Sequence, residues 1–524
     1  MSVINIKKLK YSVGIRELLN IENLQVQAGK RIGLVGKNGS GKTTLFRILM
    51  NELDADIGQF SVDGRMSLLP QLKPTETSKS GGEVSQDYIV RILNEAPGTL
   101  LADEPTTNLD TSHVEWVEKK LKEFQGTVLL ISHDRTLLDS VCDTIWELSD
   151  GEITEYSGNY SDYVIQKENE KNQQQKEYKK YQQKKEQLEN AIVHKEGQAQ
   201  RATKAPKNLS SSEARDASGV NPYFQKLQKG LHQSLKSLET RLKKLEEVEK
   251  PEEDRPIKMI LPNERSFKNK TVVRAEKVAG EISNQKLWNP TTFFLKGGDK
   301  VGIIGPNGSG KTTLLKKILN ESDSDIYLSP AVKVGYFSQN MDVLDADNTI
   351  IENVKKESKQ TETLIRIVLA RLGFYQNDVE KKVKVLSGGE RVKVSLAKIF
   401  VSDCNTLILD EPTNFLDVYA LEALEELLVE YEGTVLIVSH DRSFISSIAT
   451  KILAFEDNEL IFFEGTYEEY LNRDQENERD IKADELARIE NEIAAVLSQL
   501  SIEPTDELDK KFQELIKKKR EIEN

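Results

Sequence analysis

The sequence predicts an α/β chain: two phosphate-loop domains in tandem, joined by a long antiparallel α-helical hairpin and followed by a short helical extension. Three observations carry that prediction. The segment GLVGKNGSGKTTL at 33–45 returns as GIIGPNGSGKTTL at 302–314, each time between an apolar run (RIGLV; KVGII) that reads as a strand and a run (LFRILM; LLKKIL) that reads as a helix. Further pairs follow in the same order: SGGE at 80–83 and 387–390, LLADEPTTNLD ending at Asp110 and LILDEPTNFLD ending at Asp417, TVLLISHDR and TVLIVSHDR. Between the repeats the composition turns to Gln, Lys and Glu with almost no β-branched runs, which favours helix.

At 524 residues the chain is long enough for several domains, each with its own core. We expect a first domain over 1–158, the hairpin over 159–256, a second domain over 257–472 and the helical extension over 473–524. No apolar run reaches about eighteen residues, and the opening MSVINIKKLK carries charges where a signal peptide needs an uninterrupted apolar stretch. A cytoplasmic location without membrane contact is therefore expected. Cys142 and Cys404 lie in different repeats, with no second cysteine or histidine at metal-ligand spacing, and read as buried thiols. The net charge of -13 argues against non-specific nucleic-acid binding by the whole surface. It hides one basic stretch, since residues 161–250 hold 19 lysines and arginines against 13 acids, a balance of +6 that leaves -19 for the rest.

Within that stretch two helices each carry one apolar stripe. Tyr178, Tyr181, Leu188 and Ile192 keep helical spacing, as do Phe224, Leu227, Leu231, Leu235, Leu238, Leu242 and Leu245. The Ser-, Ala- and Pro-rich segment between them breaks the helix, so the two arms fold back on each other. Arms of about 35 residues would place the tip roughly 50 Å out. The tip falls near 209–224 and holds Arg215, Val220, Tyr223 and Phe224, side chains that either stack on bases or pack the hairpin's own turn. After Asn472 a second, smaller helical hairpin is expected from Leu486, Ile489, Ile493, Val496 and Leu500, then Pro504, then Leu508, Phe512 and Leu515.

The glycine-rich turn between strand and helix lets backbone N–H groups converge on phosphate oxygens, and the helix dipole favours the same anion. The cradle is Gly36, Lys37, Asn38, Gly39, Ser40 and Gly41 in the first repeat, and Gly305, Pro306, Asn307, Gly308, Ser309 and Gly310 in the second. Lys42 and Lys311 then reach the β and γ phosphates of ATP, Thr43 and Thr312 ligate Mg²⁺, and Thr44 and Thr313 stand beside them. The runs TLLADE and TLILDE are buried strands ending in two carboxylates. Such an order suits metal contact by Asp103 and Asp410 and water activation by Glu104 and Glu411. His133 and His440 each follow a Val/Leu/Ile strand and stand at the same distance after the second carboxylate, where a γ-phosphate sensor belongs. Gln71 and Gln339 follow short strand-like runs and are candidate Mg²⁺ or water ligands.

With SGGE placed between the phosphate loop and DEP, this order resembles the ATP-binding cassette family, in which that signature contacts the other cassette's nucleotide. Tandem cassettes, no membrane span and a helical linker of this size are similar to the ABC-F subfamily, whose members act on the ribosome. The length, the linker tip and the helical tail are most similar to the Vga-type antibiotic-resistance proteins. The resemblance implies an ATPase whose first site combines Lys42, Asp103 and Glu104 with Ser387, Gly388 and Gly389. Its second site would pair Lys311, Asp410 and Glu411 with Ser80, Gly81 and Gly82. Closure on ATP and reopening after hydrolysis follow.

Three departures from the family pattern stand out. The first signature reads KSGGE, with Lys79 where leucine is usual, whereas the second keeps LSGGE. Only nine positions separate Gln71 from Ser80, against 48 between Gln339 and Ser387, so the first repeat lacks most of a helical subdomain and the first site is expected to be the stronger hydrolytic one. Tyr11 stands where an adenine-stacking aromatic belongs in the first repeat, but the second offers only Trp288, displaced in the motif.

A basic hairpin on an acidic body suits folded RNA in a confined site. By resemblance, the partners are the 70S ribosome, through 23S rRNA at the exit-tRNA site, and peptidyl-tRNA, with the chain acting as a monomer whose two cassettes pair. Lincosamides, pleuromutilins and streptogramin A would be the drugs displaced. A housekeeping translation factor without a drug role stays open, as does the ATPase part of an exporter.

Overall fold

Uninterrupted runs of Val, Leu and Ile demand burial on both faces, and they become the central parallel strands of two similar sheets. The computed structural model describes residues 2–71, 81–95, 97–107, 109–202, 222–245, 248, 259–262, 267–282, 285–320, 325–338, 344–414, 416–502 and 506–523. In the first repeat the strands are β1 (Ser2–Val13), β2 (Arg16–Gln27), β3 (Arg31–Val35), β4 (Ile57–Val62), β5 (Met66–Leu69), β6 (Thr99–Asp103), β7 (Thr127–Ile131), β8 (Thr144–Ser149) and β9 (Glu152–Ser157). Its helices are α1 (Lys42–Leu49), α2 (Gly81–Asn94), α3 (Thr111–Glu123) and α4 (Arg135–Val141).

β1, β2 and β4 form a small antiparallel sheet in the order β2-β1-β4; the larger sheet runs β5-β6-β7-β3-β8-β9. In β6 and β7 every residue is buried, and each fully buried Val or Leu there contributes about 1.5–3 kcal/mol. Strand β3 lies between β7 and β8, so the loop that follows it opens at the carboxyl ends of the central strands, where such sheets bind ligands.

The second repeat follows the same plan. Its strands are β10 (Thr271–Ile282), β11 (Gln285–Lys296), β12 (Lys300–Ile304), β13 (Ile326–Leu328), β14 (Val334–Phe337), β15 (Thr406–Asp410), β16 (Thr434–Val438), β17 (Lys451–Glu456) and β18 (Glu459–Phe463), in sheets ordered β11-β10-β13 and β14-β15-β16-β12-β17-β18. Between β5 and β6 of the first repeat the described residues hold α2 alone, whereas between β14 and β15 of the second lie three helices and two 3-10 turns. These wrap a core built on Ile350, Val354, Ile365, Val368, Leu369 and Phe400. Cys142 and Cys404 are both buried free thiols, and burial pushes Cys404 up and Cys142 further still.

The chain divides into two compact units, Met1–Glu155 with Pro256–Asn524, and Tyr156–Arg255. The described residues of the smaller unit are chiefly α5 (Tyr160–Ala202) and α6 (Pro222–Lys243), packed on one another. The stripes meet there: Tyr178, Tyr181, Leu188 and Ile192 are half-buried, and Leu235 is buried between half-buried Leu231 and Leu238. Of the expected tip residues, Arg215 and Val220 lie outside the described residues, as do the side chains of Tyr223 and Phe224.

The second repeat's helices are α7 (Lys311–Leu319), α8 (Ile350–Lys355), α9 (Glu362–Arg371), α10 (Gly388–Phe400), α11 (Val418–Glu430) and α12 (Arg442–Ile448), followed by α13 (Tyr467–Ile502) and α14 (Asp506–Glu523). Helix α13 runs through Asn472 without a break, anchored in the sheet domain by buried Tyr470, whose hydroxyl donates to Glu456. Its far half packs on α14 through Ile489, Val496 and Leu515, with Ile493 and Phe512 against them.

Candidate functional site

Each phosphate loop leaves a central strand and enters a helix through a glycine in the left-handed region, Gly41 at φ 109° and Gly310 at φ 105°. The lysine that opens each helix is buried. Lys42 Nζ donates to Gly36 O at 2.7 Å and Lys37 O at 3.1 Å, and Lys311 Nζ donates to Gly305 O and Pro306 O, both at 2.9 Å. Burial lowers both amines, opposed most strongly by Glu104 for Lys42 and by Glu411 for Lys311. Inside the loops, Ser40 Oγ and Ser309 Oγ are buried with no hydrogen-bond partner among the described residues, which fits a site completed by an anion.

Register brings the carboxylates to these loops. β6 and β15 each lie beside a strand that neighbours the phosphate-loop strand, so their last residues reach the same sheet edge. Thr312 Oγ1 donates to Asp410 Oδ2 at 3.1 Å, and Thr43 hydrogen-bonds Asp103 in the same way. A hydroxyl against a carboxylate at the mouth of the loop is a hard-oxygen set that fits Mg²⁺. Burial raises both aspartates, with the threonines opposing it.

The next residues turn sharply. Glu104 and Glu411 adopt φ 50° and 51°, a left-handed conformation rare outside glycine and asparagine that costs of order 1–3 kcal/mol and concentrates at working sites. Each is locked by its own N–H, to Ile131 O and Val438 O respectively, both at 2.9 Å. Burial pushes both carboxyls up to about 8, against the pull of Lys42 and Lys311. His133 Nε2 lies 3.3 Å from Glu104 Oε1, and His440 Nε2 lies 3.4 Å from Glu411 Oε1. Burial pulls His133 down to about 3 and His440 to about 4, with the nearby lysine adding to the effect, so both imidazoles are neutral.

The two repeats meet head to tail at these sites. Asn38 N–H, in the first phosphate loop, donates to Asp417 Oδ2 at 3.0 Å; Asn307 N–H, in the second, donates to Asp110 Oδ2 at 3.3 Å. Each aspartate also caps the helix after it, Asp417 through Ala420 N–H and Asp110 through His113 N–H. Their other partners differ. Lys393 Nζ lies 2.9 Å from Asp417, whereas Asp110 is held by Ser112 Oγ at 2.8 Å and His113 Nδ1 at 2.5 Å. Lys393 stands in α10, the helix capped by Ser387 of the second signature through a reciprocal box with Glu390. Arg135 bonds Glu425 at 2.8 Å across the junction, Arg442 bonds Glu115 at 2.8 Å and Thr111 O at 3.1 Å, and Tyr419 OH donates to Glu147 at 2.5 Å. A cavity of about 770 Å³ lies between Lys311, Thr312 and Glu411 of the second repeat and Glu104, Leu109 and His133 of the first.

Comparison with known proteins agrees with this geometry. A family model described as ABC transporter matches residues 19–78 and 288–414, and a second with the same description matches 146–217. The chain is 32% identical over 556 residues to the ribosome protection protein VmlR of Bacillus subtilis (strain 168), covering 100% of this chain and 98% of the relative. The chain belongs to the ABC-F subfamily of ATP-binding cassette proteins.

This ABC-F chain is also 33% identical over 466 residues to the erythromycin resistance ATP-binding protein MsrA of Staphylococcus epidermidis, with 83% of this chain and 93% of the relative covered. Its fold matches that of the archaeal ribosome recycling factor aABCE1, solved in complex with the ribosomal stalk protein aP1, with a TM-score of 0.59 at 18% identity, covering 90% of this chain and 92% of that one. None of the described helices is long and apolar enough to cross a membrane.

Of the candidate residues, the structure brings together the loop lysines, threonines, paired carboxylates and histidines of each cassette. Gln71 is exposed just beyond β5, two residues after Leu69, which pairs with Ala102; Gln339 and Ser80 lie outside the described residues. Tyr11 is half-buried on β1, opposite Leu19. Trp288 is wholly buried and bonds Val278 O through Nε1, so it is a core residue and no base-stacking surface. Sequence reasoning passed over Asp110, Asp417, Arg135 and Arg442, although the repeated LD and SHDR endings carried the signal. Lys393 and His113 differ between the repeats and had no such signal, and Glu425, which returns as Glu118, lies inside a helix outside any motif.

Proposed function

We propose that this ABC-F chain is an ATP-dependent ribosome-protection protein, an ATPase of the cytoplasm that binds the 70S ribosome at the exit-tRNA site. In this reading residues 1–158 and 257–472 are the cassettes. The basic linker over 159–256 reaches along 23S rRNA past peptidyl-tRNA and dislodges lincosamides, pleuromutilins or streptogramin A from the peptidyl-transferase region. ATP hydrolysis then releases the protein. The observation that carries the reading is full-length likeness to a ribosome protection protein, hairpin included.

The site geometry supports the ATP half. Lys42 and Lys311, with the loop amides, hold the triphosphate. Thr43 with Asp103, and Thr312 with Asp410, hold Mg²⁺, Gln71 and Gln339 completing the sets; the ion supplies charge neutralisation on the phosphates. Glu104 and Glu411 orient and deprotonate water, and neutral His133 and His440 donate toward the γ-phosphate. Ser387, Gly388 and Gly389 close the first site; Ser80, Gly81 and Gly82 close the second. With the intact signature and Lys393 beside Asp417, the first site is the stronger hydrolytic one.

The test replaces Glu104 and Glu411 by Gln to hold the ATP-closed state and identifies what co-purifies. Enrichment of 70S ribosomes is expected, and a membrane protein in their place would indicate an exporter. Expression of the wild type in a susceptible host should raise inhibitory concentrations of lincosamides and pleuromutilins. Erythromycin belongs in the panel because one relative's name carries it. Ribosome retention with unchanged drug sensitivity would leave a translation factor without a drug role.

A further inference from the structure

The last glycine of each phosphate loop rests on the same two strand positions. A Cβ on Gly41 would lie 3.0 Å from Leu18 and 3.1 Å from Leu19; on Gly310 it would lie 3.1 Å from Leu287 and 2.6 Å from Trp288. Leu19 and Trp288 therefore correspond. Register then matches their cross-strand partners, Tyr11 opposite Leu19 and Gly280 opposite Trp288. The aromatic has changed strands.

The exchange closes the position it left. A Cβ on Gly280 would lie 2.0 Å from the Trp288 ring, so no side chain fits where Tyr11 stands in the first cassette. Trp288 does not serve in its place. It is 0% exposed, Nε1 donates to Val278 O at 3.1 Å, and its ring packs T-shaped against Phe455 with centroids 5.3 Å apart. At this end the cavity of the second site is lined by aliphatic Ile282 and Leu287. Among the described residues, the one tyrosine on its wall is Tyr336, raised by burial and by nearby Asp410, which puts it at the metal end of the site.

We propose that the second site holds its nucleotide chiefly through the triphosphate, with the base resting on Ile282 and Leu287, and that Tyr11 makes the first site the one that recognises the base. The inference rests on reading both loops as ATP sites. Base–aromatic stacking is worth about 1–3 kcal/mol per base, roughly five- to 150-fold in affinity. An aliphatic surface supplies contact without that stacking.

The experiment uses the full chain in two backgrounds, Lys42→Ala to leave the second site as binder and Lys311→Ala to leave the first. Calorimetry with Mg²⁺ then compares ATP with ribose 5-triphosphate, which lacks only the base. The ATP preference is expected to be about tenfold greater at the first site than at the second. Tyr11→Ala in the Lys311→Ala background should remove that excess and leave ribose 5-triphosphate binding unchanged. Gly280→Tyr with Trp288→Leu in the Lys42→Ala background should transfer it to the second site. Should that double variant fail to fold, the Tyr11→Ala arm still decides. Equal base preference at the two sites, or an unchanged preference in Tyr11→Ala, overturns the proposal. No ATP binding in either background overturns the reading of the loops as ATP sites, and this proposal with it.

Discussion

Asp417 accepts the backbone N–H of Asn38 at 3.0 Å, joining the start of α11 in one cassette to the phosphate loop of the other. The same oxygen meets Lys393 at 2.9 Å, and these partners hold the carboxyl below its usual range despite its burial. Asp417→Ala strands a half-buried ammonium and unties the loop. Removing one partner of a buried pair costs about 3–5 kcal/mol. We expect ATP turnover to fall at least tenfold, measured by phosphate release. Lys393→Ala should fall less, because Asn38 and Ala420 still satisfy the aspartate.

Two ion pairs cross the junction at the same distance, and their burial separates them. Arg135–Glu425 has side chains 13% and 12% exposed, whereas Glu115, the partner of Arg442, is 62% exposed. Burial raises Glu425 in spite of Arg135, so desolvation weighs heavily on that pair. Glu425→Ala should destabilise the closed chain by about 3 kcal/mol and Glu115→Ala by under about 1 kcal/mol. A double Leu variant of Arg135 and Glu425 should cost less than Glu425→Ala alone. Denaturant titration of the three variants checks the order.

Glu104 and Glu411, raised from 4.5 to about 8, bind more protons folded than unfolded between those values. Their contribution to stability is present below pH 4.5 and is lost as pH rises through about 8. Without nucleotide, the chain should therefore lose stability from about pH 5 to pH 8. Glu104→Gln with Glu411→Gln should flatten that slope and melt on the order of 3 °C higher at pH 8, with no gain near pH 5. Thermal melts across that range read the difference.

Ser387 caps α10 and shares Glu390 Oε2 between its own N–H at 2.8 Å and hydroxyl at 2.7 Å. Ser387→Ala should cost about 1 kcal/mol of local stability. If the second signature closes the first site as proposed, turnover in a Lys311→Ala background should drop more than melting does. Equal losses in both would reduce Ser387 to a cap.

Much of this architecture was legible from the chain itself. A phosphate loop is a local backbone event, and its glycines, lysine and threonine stand within a few residues of each other; the hairpin stripes are set by helical period alone. Tertiary structure decided what depends on distant neighbours. Asn38 and Asp417 are 379 positions apart, and no local pattern pairs them. The glutamates' elevated pKa values and the histidines' neutrality come from desolvation, which only packing sets. The displaced aromatic at position 288 was visible in the sequence, but only the register of β10 on β11 shows Trp288 lying over Gly280, since whether a ring faces solvent or core depends on which strand it pairs with.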